Sequence, residues 1–205
     1  MLCDALRRCI DNNKTALPGN LPWEEMTLLS SHHFVTPAFA WAVQDVPDSP
    51  PAMRDFLGAV LTLNRERNRK IEKTLISALQ TWNSEAIPSI LLKGAASLAG
   101  NLYPDPGMRI LGDIDVLVPA DRAEEAAQLL NENGFEPIPS ENDFSGHHHL
   151  APLRHRGLGI AIEIHHHALY ADCRNLLSTD SVWRAAQPCS IGGVETQSLN
   201  PTMQF

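Results

Sequence analysis

Residues 109–118, RILGDIDVLV, combine an apolar strand pattern with two acidic side chains. The isoleucine, leucine and valine content predicts a buried β-strand, yet Asp113 and Asp115 lie near its middle. Side chains alternate along a strand, so residues two apart share a face. We therefore expect one apolar face and one face that carries both aspartates. The first comprises Ile110, Ile114, Val116 and Val118; the second comprises Leu111, Asp113, Asp115 and Leu117.

The two aspartates predict a bound cation. On a strand with a rise of about 3.3 Å per residue, their Cα atoms are roughly 6.5–7 Å apart. Two negative charges at this distance repel each other and raise a pKa unless a cation lies between them. Mg²⁺ takes oxygen ligands at about 2.1 Å, which both side chains can supply. The sequence therefore predicts a Mg²⁺ site at Asp113 and Asp115, with Mn²⁺ as an alternative ion.

A second apolar stretch, residues 159–165 (GIAIEIH), repeats this arrangement. The isoleucines at 160, 162 and 164 share one face, and Glu163, His165 and His167 share the other. Glu163 is thus a candidate third carboxylate. Metal-dependent phosphoryl transfer commonly uses several carboxylates to hold ions about 3.5–4 Å apart. It also needs groups that bind phosphate.

Residues 87–94 supply candidate phosphate-binding groups. An apolar strand predicted over 87–92 leads into Lys93-Gly94, where we expect a helix to begin and to end near Tyr103. The free amides at a helix N-terminus bind phosphate, and Gly94 allows a close approach. Lys93 adds a positive point charge.

Near residue 84 the sequence pattern changes from helical periodicity to short apolar strands and turns. We therefore predict a helical region over 1–83 that packs on a core domain over 84–205. Helices are expected from Leu21–Glu25, from Pro37 through Val43 and over 52–82. The core domain is expected to contain strands, one helix and a last hairpin. These are strands at 135–139, 148–154 and 158–166, a helix over 120–133 closed by Gly134, and a Gly192-Gly193 turn. The predicted class is α+β with a mixed β-sheet.

The final residues, LNPTMQF, resemble the start of another helix, with Asn200 as the cap and Pro201 in the first turn. This pattern favours the hypothesis that the core domain is truncated at its C-terminus.

The amino-acid composition and the net charge argue against some classes of function. The 205 residues are 43% hydrophobic and carry a formal net charge of −8. An acidic chain is a poor general nucleic-acid coat, because such binding depends on Lys and Arg at phosphates. No secretory signal pattern is apparent, and no apolar run approaches the roughly 18 residues of a membrane span. We expect a cytoplasmic protein with no membrane partner, and reduced cysteines at positions 3, 9, 173 and 189.

The segment at 64–70, NRERNRK, is strongly basic. Such a run usually forms a solvated helix face. Alternatively, it lines a site for a phosphate-bearing substrate, including tRNA.

Five elements in order resemble the uncharacterised nucleotidyltransferase-like family of the DNA polymerase β superfamily. These are a Lys-Gly turn, a Tyr-Pro segment, an Arg before Asp-x-Asp, an amphipathic helix and a Glu-x-His strand. They lie in LLKGAASLAGNLYPDPGMRILGDIDVLV (91–118), NENGFEP (131–137) and IEIHHHAL (162–169).

The resemblance implies Mg²⁺-dependent transfer of a nucleoside monophosphate from an NTP, such as ATP, to an acceptor. The acceptor is left open between a protein, tRNA and a small molecule. In this interpretation Asp113 and Asp115 hold metal, and Glu163 completes the metal site and helps to deprotonate the acceptor hydroxyl. The phosphate-binding residues would be Lys93, Gly94 and Arg109.

Two residues depart from the wider superfamily pattern. Ala95 stands where a serine usually follows the glycine, which removes a hydroxyl that can bind phosphate. Gly112 stands where a serine often precedes the first aspartate. These departures favour an alternative, a catalytically inactive nucleotide- or partner-binding module.

A further alternative is a metal hydrolase. Glu163, His165 and His167 are the residue types that bind Zn²⁺, Mn²⁺ or Fe. In the nucleotidyltransferase interpretation His165 and His167 instead border the pocket, or form hydrogen bonds as partly buried side chains of a hairpin.

Overall fold

The computed structural model describes residues 1–11 and 21–200. They form two compact units. The first comprises residues 1–69 with Asn101–Leu111, and the second comprises Lys70–Gly100 with the residues from Gly112 onward. The predicted helical turn at Pro201 and the side chain of Cys9 lie outside the described residues. The predicted domains 1–83 and 84–205 stay a prediction.

The first unit is helical, as the sequence predicts. It contains α1 (Leu2–Asp11), α2 (Trp23–His32), α3 (Thr36–Val43) and the first half of α4 (Pro51–Ser84). Helix α2 has acidic residues in its first turn, where they complement the helix dipole. Helix α3 has Pro37 in its first turn, where a missing backbone N–H costs no hydrogen bond. Helix α4 extends the predicted range 52–82 by a few residues.

Apolar side chains from these helices form the core of the first unit. Its largest fully buried side chain is Phe39. The surrounding buried residues include Trp23, Met26, Val43, Leu57 and Leu61. No helix in the described ranges has the length and apolar content to cross a membrane.

Polar side chains of α4 bind the loop 101–111. The buried Asn64 and Asn68 both donate a hydrogen bond from Nδ2 to the carbonyl oxygen of Arg109, each at 2.9 Å. Arg67 Nε donates to the carbonyl oxygen of Leu111 at 3.0 Å. The basic segment 64–70 is therefore more than a solvated face, because several of its side chains hold this loop.

These contacts explain why the predicted strand over 109–118 is too long. The structure has a strand only over Ile114–Leu117. The carbonyl oxygens of residues 109 and 111 accept hydrogen bonds from side chains of α4, not from a neighbouring strand. Ile110, predicted on the packed face, is 43% exposed, whereas Leu111 is buried. The predicted alternation therefore fails before Gly112.

Asp105 closes the loop through an ion pair with Arg65. Arg65 Nη2 lies 2.6 Å from Asp105 Oδ2, and the Gly107 N–H donates to Asp105 Oδ1 at 2.8 Å. Burial tends to raise the pKa of Asp105, but the hydrogen bonds from Arg65 and Gly107 outweigh burial and hold this pKa below its usual value. A depressed pKa stabilises the fold above the unfolded value, and the stability is lost as pH falls through the folded value.

We expect Asp105→Asn to lower the unfolding free energy by about 1–3 kcal/mol at pH 7, because charged hydrogen bonds are lost. The difference from the wild type should begin to shrink below about pH 4, where Asp105 takes up a proton in the unfolded chain, and should vanish once the pH falls below its lower folded pKa. Denaturant unfolding of the full chain from pH 7 to pH 2.5 measures both effects. The exposed Asp55 in α4 provides the matched control, Asp55→Asn. A difference that is constant over this pH range would contradict the ion-pair account.

The second unit is built on a mixed β-sheet, which confirms the predicted α+β class. In the described residues the strand order is β3-β4-β5-β2-β1-β7-β6. The strands are β1 (Ile90–Leu91), β2 (Ile114–Leu117), β3 (Phe135–Pro137), β4 (Leu153–His155), β5 (Ala161–His165), β6 (Gln187–Ile191) and β7 (Val194–Ser198). The pairs β2–β5 and β1–β7 are parallel, and the other neighbouring pairs are antiparallel.

Helices of this unit are α5 (Lys93–Ala99), α6 (Ala123–Glu132), α7 (Thr179–Ala185) and the second half of α4. The predicted helix after Lys93 ends earlier than Tyr103. The predicted strand over 148–154 is also wrong in its first half, where His149 forms only an isolated bridge with His165. Gly134 follows α6 with a φ of +94°, as expected for a glycine that ends a helix.

The end of α4 packs against α6 through Trp82. The Trp82 side chain is fully buried, and its Nε1–H donates to the carbonyl oxygen of Ala126 at 3.0 Å. Ile71, Leu75, Ala78 and Leu79 on the same helix are also fully buried. The apolar periodicity that predicts α4 therefore marks a true core face in this half.

The predicted Gly-Gly hairpin connects β6 and β7. Gly192 and Gly193 have φ values of +56° and +79°, which suit a two-residue hairpin turn. A Cβ atom at Gly192 would collide with the end of the Ile76 side chain, whereas one at Gly193 would have open space within 4 Å.

We expect Gly193→Ala to destabilise the second unit by about 1–2 kcal/mol, the cost of a left-handed conformation for a residue with a Cβ. Gly192→Ala should cost more, because Ile76 must also move. Hydrogen exchange of the β6 and β7 amides measures the two effects. Equal losses for the two variants would contradict the proposed role of the Ile76 contact.

Candidate active site

The sheet places two of the predicted carboxylates side by side. Asp115 on β2 and Glu163 on β5 are direct partners in the parallel register. Asp115 is nearly fully buried, whereas the Glu163 side chain keeps partial exposure. Both strands are apolar on their alternate residues, which fixes the register and therefore the position of both acids. The prediction that the two acidic strands contribute to one cluster agrees with this geometry.

Two cationic or protonatable groups contact Asp115. Lys93 Nζ lies 2.7 Å from Asp115 Oδ1, and His165 Nε2 lies 2.9 Å from the same oxygen. His165 Nε2 is also 3.7 Å from Glu163 Oε2. Lys93 has a φ of +45°, which costs a non-glycine residue about 1–2 kcal/mol. Backbone strain of this kind is typical of functional sites.

The electrostatics of Asp115 favour its charged form. Burial tends to raise the pKa of Asp115, but the hydrogen bonds from His165 and Lys93 outweigh burial and hold its pKa below the usual value. The interaction with His165 likewise lowers the pKa of Glu163. Burial opposes protonation of His165, yet its hydrogen bond to Asp115 and its interaction with Glu163 raise the His165 pKa. These groups therefore form a charged cluster.

Asp113 differs from the other two acids. It precedes β2 and is partly buried. Burial, followed by the charges of Asp115 and Glu163, raises the pKa of Asp113. Asp113 thus experiences the like-charge repulsion that the sequence predicts for an Asp-x-Asp pair without a metal ion.

The remaining predicted phosphate-binding residues lie in two places. Gly94 is buried in the first turn of α5, a helix of seven residues, and Ala95 is buried beside it. Arg109 belongs to the first unit, and its predicted contact with phosphate stays a prediction. Gly112 is exposed, and a Cβ atom there would meet no atom within 4 Å. Packing therefore does not require a glycine at 112.

The two predicted rim histidines behave differently. His165 is 1% exposed and lies within the carboxylate cluster rather than at a rim. His167 lies beyond the end of β5, where its Nδ1 is 3.4 Å from Thr179 Oγ1. Within the described residues, the potential metal ligand grouped with Glu163 and His165 is Asp115. His167 does not belong to this group. The hydrolase trio of Glu163, His165 and His167 is therefore not brought together as predicted.

His149 is a neighbour of the site that is not among the residues predicted from the sequence. Its Nε2 lies 3.9 Å from Glu163 Oε2, and its backbone forms a bridge with His165. The run of three histidines at 147–149 is visible in the sequence, but its position depends on a pairing between distant segments. No local pattern indicates which strand His149 approaches.

The donor set fits a divalent cation. Potential ligand atoms of Asp115, Glu163 and His165 all lie within 4.8 Å of one another. Asp113, whose pKa is raised by burial and then by the charges of Asp115 and Glu163, adds a third carboxyl group beside this set. Carboxylate oxygens suit Mg²⁺ and Mn²⁺, and the imidazole of His165 also suits heavier transition metals.

The sequence comparisons agree with the geometry of this site. A family described as "Uncharacterised nucleotidyltransferase" matches residues 19–205, which include both acidic strands and Lys93. No curated protein and no solved structure shows a significant match to the chain. The match extends over most of the sequence, so the chain belongs to this uncharacterised nucleotidyltransferase family.

Proposed function

We propose that this protein transfers a nucleoside monophosphate from an NTP to a hydroxyl acceptor in a Mg²⁺-dependent reaction. The parallel register of Asp115 and Glu163, with Lys93 and His165 on Asp115, is the observation that carries this proposal. It combines carboxylates for metal ions with a cation for phosphate, which are the groups that phosphoryl transfer needs.

The proposed metal ligands are Asp113, Asp115 and Glu163, with Mn²⁺ as an alternative ion. A bound divalent ion would neutralise the triphosphate charge and increase the acidity of the acceptor hydroxyl. His165 is a positioning residue in this proposal, because its hydrogen bond orients the Asp115 carboxylate. A hydrogen bond to a carboxylate that binds metal tunes the metal affinity by about 10–100-fold.

In the proposed reaction, the acceptor oxygen forms a bond to the α-phosphorus of the NTP. The bond from that phosphorus to the oxygen that bridges to the β-phosphate breaks, and pyrophosphate leaves. Glu163, whose side chain keeps partial exposure, accepts the proton of the acceptor hydroxyl. Lys93 exchanges its contact with Asp115 for a contact with the phosphates, and Gly94 allows a phosphate oxygen to approach the backbone.

The proposed partners are an NTP and an acceptor that is a protein, tRNA or a small molecule. A fold and a metal site do not select among these classes, because acceptor choice depends on the surrounding surfaces.

The position of the radioactive label in the NTP tests the reaction. The full chain is incubated with Mg²⁺, NTP labelled at the α- or the γ-phosphate, and separate pools of proteins, tRNA and small-molecule alcohols. We expect transfer from the α-labelled NTP with release of pyrophosphate. Transfer of the γ-label alone would indicate a kinase and would contradict the proposal.

A second candidate is a nucleotide-binding module without turnover. Ala95 favours it, because the buried start of α5 presents a methyl group where a phosphate-binding hydroxyl is common in the wider superfamily. NTP binding in the presence of Mg²⁺ or Mn²⁺ without transfer to any of the three acceptor pools would support this candidate.

A further inference from the structure

A second group of potential metal ligands lies beside the carboxylate cluster. One ring nitrogen each from His147, His148 and His149 can be chosen so that all three lie within 4.8 Å of one another. His148 and His149 are more than nine-tenths buried. Imidazole nitrogen suits Zn²⁺ and related ions, whereas Mg²⁺ prefers oxygen. This donor set therefore differs in its metal preference from the carboxylates.

Ring nitrogens of two of these histidines have unmet hydrogen-bonding capacity. The Nδ1 atoms of His147 and His148 are buried and have no hydrogen-bond partner among the described residues. Leaving such an atom unpaired costs about 1–3 kcal/mol. A metal ion accepts the lone pair of a neutral imidazole and removes this cost. A solvated, unliganded histidine run would instead keep these nitrogens accessible to water.

His149 has one nitrogen engaged and the other directed toward a carboxylate. Its Nδ1 lies 2.8 Å from the carbonyl oxygen of Leu150, so Nδ1 carries the proton in a neutral ring. Its Nε2 then carries a lone pair, 3.9 Å from Glu163 Oε2. Two acceptors at this distance repel each other in the absence of a cation, which favours a metal ion at Nε2.

The backbone and two aromatic rings hold the histidine segment in place. The carbonyl oxygen of His148 accepts hydrogen bonds from the backbone N–H groups of His166 and His167 at 3.0 and 3.1 Å. The ring centroid of Tyr170 is 3.9 Å from that of His148, and Phe144 contacts the ring of His147. The three imidazoles are therefore pre-positioned, which lowers the conformational cost of binding.

From these contacts we propose that His147, His148 and His149 bind one transition-metal ion of the Zn²⁺ class. In this proposal the rings rotate until the nitrogens lie at the usual Zn–N distance of about 2.0–2.1 Å from the ion. Three protein ligands leave one position of a tetrahedral ion open for water or another ligand. The site uses other ligands than the Mg²⁺ site proposed above, which it adjoins at Glu163, and it does not depend on nucleotidyl transfer.

Metal titration of the full chain tests this site. After treatment with a chelator, the protein is titrated with Co²⁺, whose visible absorption reports tetrahedral coordination, and Zn²⁺ is then added as a competitor. We expect one tightly bound Co²⁺ per chain, displaced by Zn²⁺. His147→Asn should weaken Zn²⁺ binding at least tenfold, because one of the three ligands is lost.

A control variant separates this site from clustered histidines elsewhere. The exposed pair His32 and His33 has ring centroids 5.2 Å apart, so the double variant His32→Asn, His33→Asn removes such a cluster. We expect this control to bind Zn²⁺ as the wild type does. Unchanged affinity in His147→Asn, or lost binding in the control, would overturn the proposal.

If His147→Asn does not fold, a measurement on the wild-type chain still tests the proposed histidine site. Long-range ¹H–¹⁵N spectra report the ring nitrogens of each histidine directly. We expect Zn²⁺ to shift the nitrogens of His147, His148 and His149 at one equivalent. The absence of these shifts, or shifts confined to His165, would refute the site.

Discussion

Asp115→Asn is expected to lower label transfer from the α-labelled NTP by about 10³-fold. Asp115 is the residue that Lys93 and His165 both contact, and the parallel register places Glu163 directly beside it. Replacing this carboxylate removes one negative charge from the proposed metal site. A metal ion supplies several kcal/mol of transition-state stabilisation, and about 4 kcal/mol corresponds to a factor of 10³.

The substitution should affect chemistry more than folding. The asparagine side chain has nearly the same shape, and its carbonyl oxygen can still accept hydrogen bonds from Lys93 and His165. We therefore expect native circular dichroism and an assembled sheet. Asp121→Asn, at an exposed acidic residue of the same unit, is the matched control and should retain transfer within about twofold. Full transfer by folded Asp115→Asn would contradict the assignment of the active site.

The second large effect is expected from Trp82→Ala, which should lower the unfolding free energy of the second unit by about 3–5 kcal/mol. Trp82 is fully buried where α4 meets α6, and the substitution removes the indole ring and leaves a cavity. It also removes the hydrogen bond from Nε1 to the carbonyl oxygen of Ala126. The exchange rates of the slowest-exchanging backbone amides in the sheet measure the change in the unfolding free energy of the second unit.

Two further variants test the role of Trp82. Trp82→Phe keeps a six-membered aromatic ring in the core but removes the five-membered ring of the indole with its N–H donor, so we expect a loss of about 1–3 kcal/mol, smaller than that of Trp82→Ala. Trp183, which is partly exposed on α7, provides the matched control for removal of an indole ring. Trp183→Ala should cost less than Trp82→Ala. If the two alanine variants lost the same free energy of unfolding, the deeper burial of Trp82 would not make it the more stabilising residue, and this account would be contradicted.

The parts of the fold that the sequence predicts well depend on local patterns. The apolar period of α4 is sustained over many turns, so its ends are displaced by only one or two residues. The Gly192-Gly193 turn is recognised because two adjacent glycines permit the positive φ values that a tight hairpin requires. Both signals are contained within short segments of chain.

The predictions from sequence are wrong where the backbone forms hydrogen bonds with residues that are distant in the sequence. Residues 109–111 have the composition of a strand, but Asn64, Arg67 and Asn68 take up carbonyl oxygens of this segment. The position of His149 beside Glu163 has the same origin, since it depends on a bridge to His165. The sequence predicts the acids, Lys93 and His165 as candidates from residue type and spacing, but not the position of His149.

A ribosome that synthesises this chain releases Lys93 and Asp115 well before His165, which lies 50 residues beyond Asp115. Until β5 emerges, β2 has no parallel neighbour, and its aspartate has neither the imidazole nor the adjacent glutamate. Such non-local pairing is slow, because the intervening loop must close first. The carboxylate cluster can therefore assemble only after β5 has been synthesised, and a nascent chain stalled before β5 would carry Asp115 of β2 without Glu163 and His165 beside it.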